Sequence, residues 1–152
     1  MVLSKACTYG ILASLYVTRQ MSGSKDYVSI GRMSEELNIS FHFLTKILQQ
    51  LTSAGILSSM KGPKGGVMLK RAPSEISLVD IVVAIDGMEL FTGCLLGLPG
   101  CGEQKACPVH DEWAEIRAGL FHTFRGKSLA DTAQRIDDLN LRFALPGNSD
   151  KE

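Results

Sequence analysis

Three of the four cysteines fall within residues 94–110, CLLGLPGCGEQKACPVH, spaced C-x6-C-x5-C, and a histidine follows the last at C-x2-H. Cys94, Cys101 and Cys107 are soft donors once ionised, and His110 offers an imidazole nitrogen. Thiolates hold iron–sulfur clusters, in some cases with imidazole in place of part of the set. Zinc takes the same donor types in a tetrahedron. The stretch also holds three glycines and two prolines, Pro99 and Pro108, so it turns often and reads as a loop. A loop can bring thiols to one point without bending a helix or strand. The alternative is a disulfide plus a spare thiol, or three unrelated cysteines. Crowding three cysteines into one short loop favours a metal or cluster, and the spacing alone does not choose between iron–sulfur and zinc. Cys7 lies far away on an apolar stretch and reads as a small buried hydrophobe.

The rest of the chain must position this loop. At 152 residues it is one domain, or a small domain with an extension. A hydrophobic content of 45% suits a buried core. No apolar run has the length of a bilayer span. The N-terminal apolar stretch reads as a structural helix and not as a signal peptide. Clustered thiols without a targeting segment fit a reducing, cytoplasmic setting. The formal net charge is zero, but it is unevenly spread. Residues 1–72 hold nine Lys/Arg against three Asp/Glu, a balance of +6; residues 73–152 hold seven against thirteen, a balance of −6. A basic first half suggests that this half alone meets a polyanion.

Apolar residues at helical spacing predict a helix over residues 4–20, buried on most sides. After a polar turn, Ser29 caps a short helix carrying Ile30, Met33 and Leu37, and Asn38 can take the left-handed conformation that ends it. Ser40 caps a second helix to about residue 54, with Phe41, Leu44, Ile47, Leu48 and Leu51 as its buried face. His42, Thr45, Lys46 and Gln49 fall opposite, of a size and polarity to reach base edges and phosphates. Short helix, tight turn and second helix make a helix-turn-helix pattern. Strands over residues 56–60 and 67–70 then flank Lys61, Gly62, Pro63, Lys64, Gly65 and Gly66, a basic hairpin tip. Such a tip is a wing that can approach phosphates or a minor groove.

Farther on, Ser77-x-x-Asp80 predicts a capping box opening a helix to Asp86, with Gly87 as its stop. A long helix is expected from Pro108 to about Phe124, with Val109, Trp113, Ile116, Leu120 and Phe124 in one stripe. A second copy of the helix is a natural cover for that stripe, so a two-fold homodimer is expected; the alternative is packing within the chain against the first helix. Ser128-x-x-Asp131 opens a last helix to about Asn140, and the tail from Pro146 is expected to be disordered.

The opening LSKACTYGILASLYV, the segment ISFHFLTKILQQLTSAGILSSMKGPKGG, and the cysteine loop that follows VDIVVAIDG together resemble the bacterial IscR/NsrR-type iron–sulfur cluster regulators. The resemblance spans roughly residues 1–140. It implies winged-helix transcription factors acting as homodimers on a pseudo-palindromic double-stranded DNA operator. Carried over by position, Cys94, Cys101 and Cys107 become cluster ligands and His110 the fourth ligand of the 2Fe–2S members. Ser40, His42, Phe43, Thr45 and Lys46 would line the groove-facing part of the recognition helix, and Lys61 would stand where the family usually reads a groove with arginine. Thr8 occupies the place where 4Fe–4S members offer an acid, which favours 2Fe–2S over 4Fe–4S.

The expected fold is mainly α: a winged helix-turn-helix with a small β-hairpin wing and a long C-terminal dimerisation helix. The expected division is a DNA-binding domain over 1–72, a linking helix and cluster loop over 73–107, dimerisation helices over 108–141 and a disordered tail over 142–152. The expected function is a non-enzymatic, repressor-type transcriptional regulator sensing redox, nitric oxide or iron–sulfur status. The alternatives are a zinc or thiol switch, a signal supplied by a partner, or a cluster-bearing electron carrier.

Overall fold

The computed structural model describes residues 2–102 and 104–142. Helix α1 (Lys5–Met21) starts where the Ser4 side chain accepts the Cys7 N–H at 3.0 Å. It runs through the middle of the molecule, with Ala13, Leu15, Tyr16 and Val17 buried. Its two buried hydroxyls satisfy themselves within the helix: Ser14 donates to the Gly10 carbonyl at 2.7 Å and Thr18 to the Ser14 carbonyl at 2.8 Å.

Helices α2 (Ile30–Leu37) and α3 (Phe41–Ser53) are capped by Ser29 and Ser40, as expected. Asn38 stands between them at φ 55°, ψ 45°, the left-handed geometry that lets a chain leave one helix and enter the next. Met33 and Leu37 of α2 meet Leu44, Ile47, Leu48 and Leu51 of α3 in the main core. Strands β1 (Leu57–Met60) and β2 (Gly66–Leu69) pair antiparallel, Leu57 opposite Leu69 and Met60 opposite Gly66. Val28 exchanges backbone hydrogen bonds of 2.8 and 3.0 Å with Val67, which pins the hairpin to the segment before α2.

A 3-10 turn (Pro73–Glu75) leads to α4 (Leu78–Asp86), whose N-terminus is the reciprocal Ser77/Asp80 capping box. Gly87 ends α4 at φ 74°. A one-turn helix, α5 (Glu89–Thr92), then precedes the cysteine loop, where no regular structure was expected. Helix α6 (His110–Arg125) follows that loop, and α7 (Leu129–Asp138) returns along α1, tied by Arg19 to Asp137 at 3.3 Å. A second, smaller core joins Cys7, Val79, Val82 and Phe91 to Leu120, Phe121 and Phe124 of α6. The result is a mainly helical winged helix-turn-helix. No helix among the described residues is long and apolar enough to cross a membrane.

Two expectations need correction, on Phe41 and on the start of α6. Phe41 is 56% exposed and not part of the buried face of α3, because it faces the open groove between α3 and the hairpin. Ile116 is 53% exposed within the single chain, and the side of α6 that packs inward runs through Trp113, Leu120, Phe121 and Phe124. Helix α6 begins at His110 after Val109, so Pro108 stands outside its first turn. The expected disorder from Pro146 lies outside the described residues.

Candidate nucleic-acid interface and cysteine loop

The first feature is a groove of about 750 Å³ between α3, the start of α2 and the hairpin. Phe41, Thr45 and Gln49 line it from α3, and Met60, Lys61, Gly62 and Pro63 line it from the hairpin. His42, Lys46 and Gln49 are exposed, as are Ser40, Lys61, Gly62, Pro63 and Lys64, and Gly65 is half-buried. One end of the molecule therefore carries a polar helix face and a basic hairpin tip side by side.

Several of these residues have local tasks as well. Ser40 caps α3 by accepting the Phe43 N–H at 3.4 Å. Thr45 donates its hydroxyl proton to the Phe41 carbonyl at 2.7 Å, so that proton is committed within the helix. Phe43 turns away from the groove and is half-buried, its ring 5.6 Å from Tyr9 in an edge-on pair. The hairpin glycines also answer to the chain itself. A Cβ on Gly65 would overlap the Met60 carbonyl, and one on Gly66, at φ 145°, would overlap the Val28 carbonyl. Gly62, at φ 105°, faces open space and its carbonyl accepts the Gly65 N–H at 2.9 Å.

The helix-turn-helix is braced from behind. Tyr16 donates to Glu36 at 2.6 Å, and Arg32 donates to the same carboxylate at 2.8 Å. Burial and the adjacent Glu36 push the Tyr16 phenol up to about 12. The Tyr16 hydroxyl and Arg32 in turn hold the Glu36 carboxyl below its ordinary value.

The second feature is the cysteine loop. All four cysteines are free thiols. Cys94 is exposed, and Cys101, Cys107 and His110 are half-buried. Turns close at Leu98–Cys101, where N–H meets carbonyl at 3.1 Å, and between Gly102 and Lys105. The His110 N–H donates to the Cys107 carbonyl at 3.0 Å, so the C-x2-H pair forms the entry to α6. Free thiols plus an imidazole are donor types suited to an iron–sulfur centre or to zinc. Their arrangement is open, however: among the described residues no three His, Cys, Asp or Glu side chains converge as a metal-holding group.

Sequence reasoning missed what anchors this loop. Trp113 donates its indole N–H to the Gly93 carbonyl at 2.8 Å, and Arg117 reaches the Thr92 and Gly93 carbonyls. Polar side chains four apart on one helix were the available signal. Cys7 is fully buried, as expected, and burial beside Asp86 pushes its thiol up to about 12. A thiol held in that form is neither nucleophile nor ligand at neutral pH.

Comparisons with known proteins agree with this arrangement. The profile of a family described as "Rrf2: Iron-dependent Transcriptional regulator" matches residues 3–135. The HTH-type transcriptional regulator IscR of Aliivibrio salmonicida is 28% identical over 131 residues, covering 86% of this chain and 76% of that protein. Among solved structures, T. potens IscR superimposes with a TM-score of 0.72 at 20% identity, over 91% of this chain and 90% of that one. CymR, the global cysteine regulator of B. subtilis, gives 0.71 at 21% identity, over 88% and 96%.

Proposed function

The chain belongs to the Rrf2 family of DNA-binding transcriptional regulators, and on that footing we propose that it is a homodimeric regulator of a pseudo-palindromic operator whose affinity is set at the cysteine loop. Members of this family are regulators and not enzymes, and an electron carrier would have no use for a basic wing. In this reading α3 enters the major groove with Ser40, His42, Thr45 and Lys46 foremost. Lys61, Gly62, Pro63, Lys64 and Gly65 bring the wing to the backbone and minor groove. Phe43 supports α3 from its Tyr9 side.

The observation that carries the reading is the groove between α3 and the wing, lined in part by Lys61, with exposed Lys46 on the same helix and exposed Lys64 on the same hairpin tip. Counter-ion release from phosphates gives such lysines their affinity for DNA. Dimerisation is supported by α6: none of its residues is fully buried, and Ile116 with Leu95, Leu96 and Leu98 stays exposed in the single chain.

For the sensor, Cys94, Cys101, Cys107 and His110 would hold an iron–sulfur cluster, 2Fe–2S in preference to 4Fe–4S. The description of the family as iron-dependent, and three cysteines on one loop with His110 at the start of the helix that follows it, support this. A bound cluster would supply a centre whose integrity responds to redox state, nitric oxide or iron supply. The loop itself, held to α6 at Gly93, would pass its state to the proposed dimer helix. Two recognition helices must lie about 34 Å apart to read successive major grooves, so a small rotation at α6 changes affinity. A second reading is a zinc site or a thiol switch, the switch favoured by the free, exposed thiol of Cys94.

The test is a visible absorption spectrum with iron and sulfide assays on protein purified without oxygen, alongside operator titration. Visible bands with matched iron and sulfide, and a Cys101→Ala variant blind to cluster state, are expected. Colourless protein that contains zinc, or that refuses reconstitution, would move the sensor to zinc or to the thiols.

A further inference from the structure

The exposed ring at the tip of α3 has no task in the fold. Phe41 is the first residue of α3, and its side chain is 56% exposed at the head of the groove facing the wing. One turn on, Thr45 has committed its hydroxyl proton to the Phe41 carbonyl at 2.7 Å. Across the groove stands Met60, itself 45% exposed. At the groove the start of α3 therefore presents an apolar ring, while Lys61 lines the wing side and Lys46 and Lys64 stand exposed elsewhere on the helix and the hairpin tip.

In helix-turn-helix docking the N-terminal residues of the second helix contact base edges. In the major groove thymine is the base that presents a methyl group, and apolar side chains read it. From this juxtaposition we propose that Phe41 is a specificity-determining residue that reads the C5-methyl of a thymine in each half-site. The proposal rests on the DNA-binding reading above and adds the base and the atom. The ring carries no donor or acceptor, so it discriminates by contact with the methyl. Cytosine and uracil lack that group.

The experiment uses duplexes selected from a random-sequence library by the full chain. Each thymine of the selected half-site is then replaced by deoxyuridine, which removes the methyl and leaves pairing intact. Burying one methyl corresponds to about a fourfold change in affinity. The wild type is expected to lose about fourfold at one thymine per half-site. A Phe41→Ala variant should be weaker on the thymine duplex and indifferent to the replacement, with an unchanged salt slope. A replacement that is silent at every position, or a Phe41→Ala variant that still discriminates, would overturn the assignment. Absence of any salt-sensitive, sequence-selective duplex binding by the wild type would instead overturn the DNA-binding reading, and this proposal with it.

Discussion

The indole N–H of Trp113 donates to the carbonyl of Gly93 at 2.8 Å, and Gly93 is the residue before Cys94. Arg117, one turn along α6, donates to the same oxygen at 2.8 Å and to the Thr92 carbonyl. The start of the cysteine loop is thus held by the helix that follows its end. Among the described residues the buried Arg117 Nε has no hydrogen-bond partner, so this side chain is placed at some cost in solvation. Because Gly93 has two donors, Trp113→Phe should cost only about 0.5 kcal/mol, the low end for one hydrogen bond. Arg117→Met removes donors from the exposed Thr92 carbonyl and the half-buried Gly93 carbonyl, and should cost about 0.5–1.5 kcal/mol. The double variant leaves Gly93 with neither donor and should lose more than either single one; urea unfolding that finds it no less stable than the singles would refute the clamp.

The wing lysines should act on affinity and leave stability alone. Lys61 and Lys64 are exposed and make no ion pair among the described residues. Replacing either by alanine should weaken binding to every duplex alike. It should lower the slope of log K against log salt by about 0.9 for each phosphate that is no longer neutralised. Titrations at several salt concentrations, with specific and scrambled duplexes, measure both quantities.

Glycines of the hairpin should differ in their tolerance. Gly66→Ala combines a positive φ with overlap on the Val28 carbonyl, whereas Gly62→Ala meets open space. The backbone region alone costs about 1–3 kcal/mol. Gly66→Ala should exceed that range, since the Val28–Val67 hydrogen bonds must also yield, and Gly62→Ala should remain within it. Denaturant midpoints decide the order.

Leu44 and Phe41 lie three residues apart on α3 with opposite fates, fully buried and 56% exposed. Leu44→Ala should cost about 2–5 kcal/mol. Phe41→Ala should stay within about 0.5 kcal/mol, as surface changes do. Thermal unfolding of both variants tests whether the Phe41 ring is free of the core.

Alkaline stability should carry the mark of Cys7. Its folded thiol is raised to about 12 by burial and by Asp86, while an unfolded thiol ionises near about 8.5. The folded state therefore holds the proton more tightly. Its contribution is complete below the unfolded value and is lost as pH rises from there through about 12. Cys7→Ala should flatten that limb of the stability profile, and unfolding curves taken between neutral pH and the alkaline limit would show it.

Local chemistry made much of the fold legible. Ser4, Ser29, Ser40, Ser77 and Ser128 cap the helices that follow them, because a hydroxyl at that position satisfies an otherwise free N–H. Asn38 and Gly87 mark helix ends through backbone geometry that few residues adopt. The period of Leu44, Ile47, Leu48 and Leu51 identified the buried face of α3. The donors of the cysteine loop were visible because three thiols so close in sequence are a chemical signal in themselves.

Tertiary structure decided the rest, because periodicity names a face and not what stands opposite it. Phe41 continues the apolar period of α3, yet it is exposed because it faces the groove toward the hairpin. Phe43 interrupts that period and packs on Tyr9, since α1 passes on that side. Gly66 is required by Val28, a residue far back in the chain that sequence spacing does not bring near. The hold of Trp113 and Arg117 on the mouth of the cysteine loop likewise depends on α6 folding back against α5. A long-range hydrogen bond of this kind is set by where two helices come to rest, and no local pattern records that.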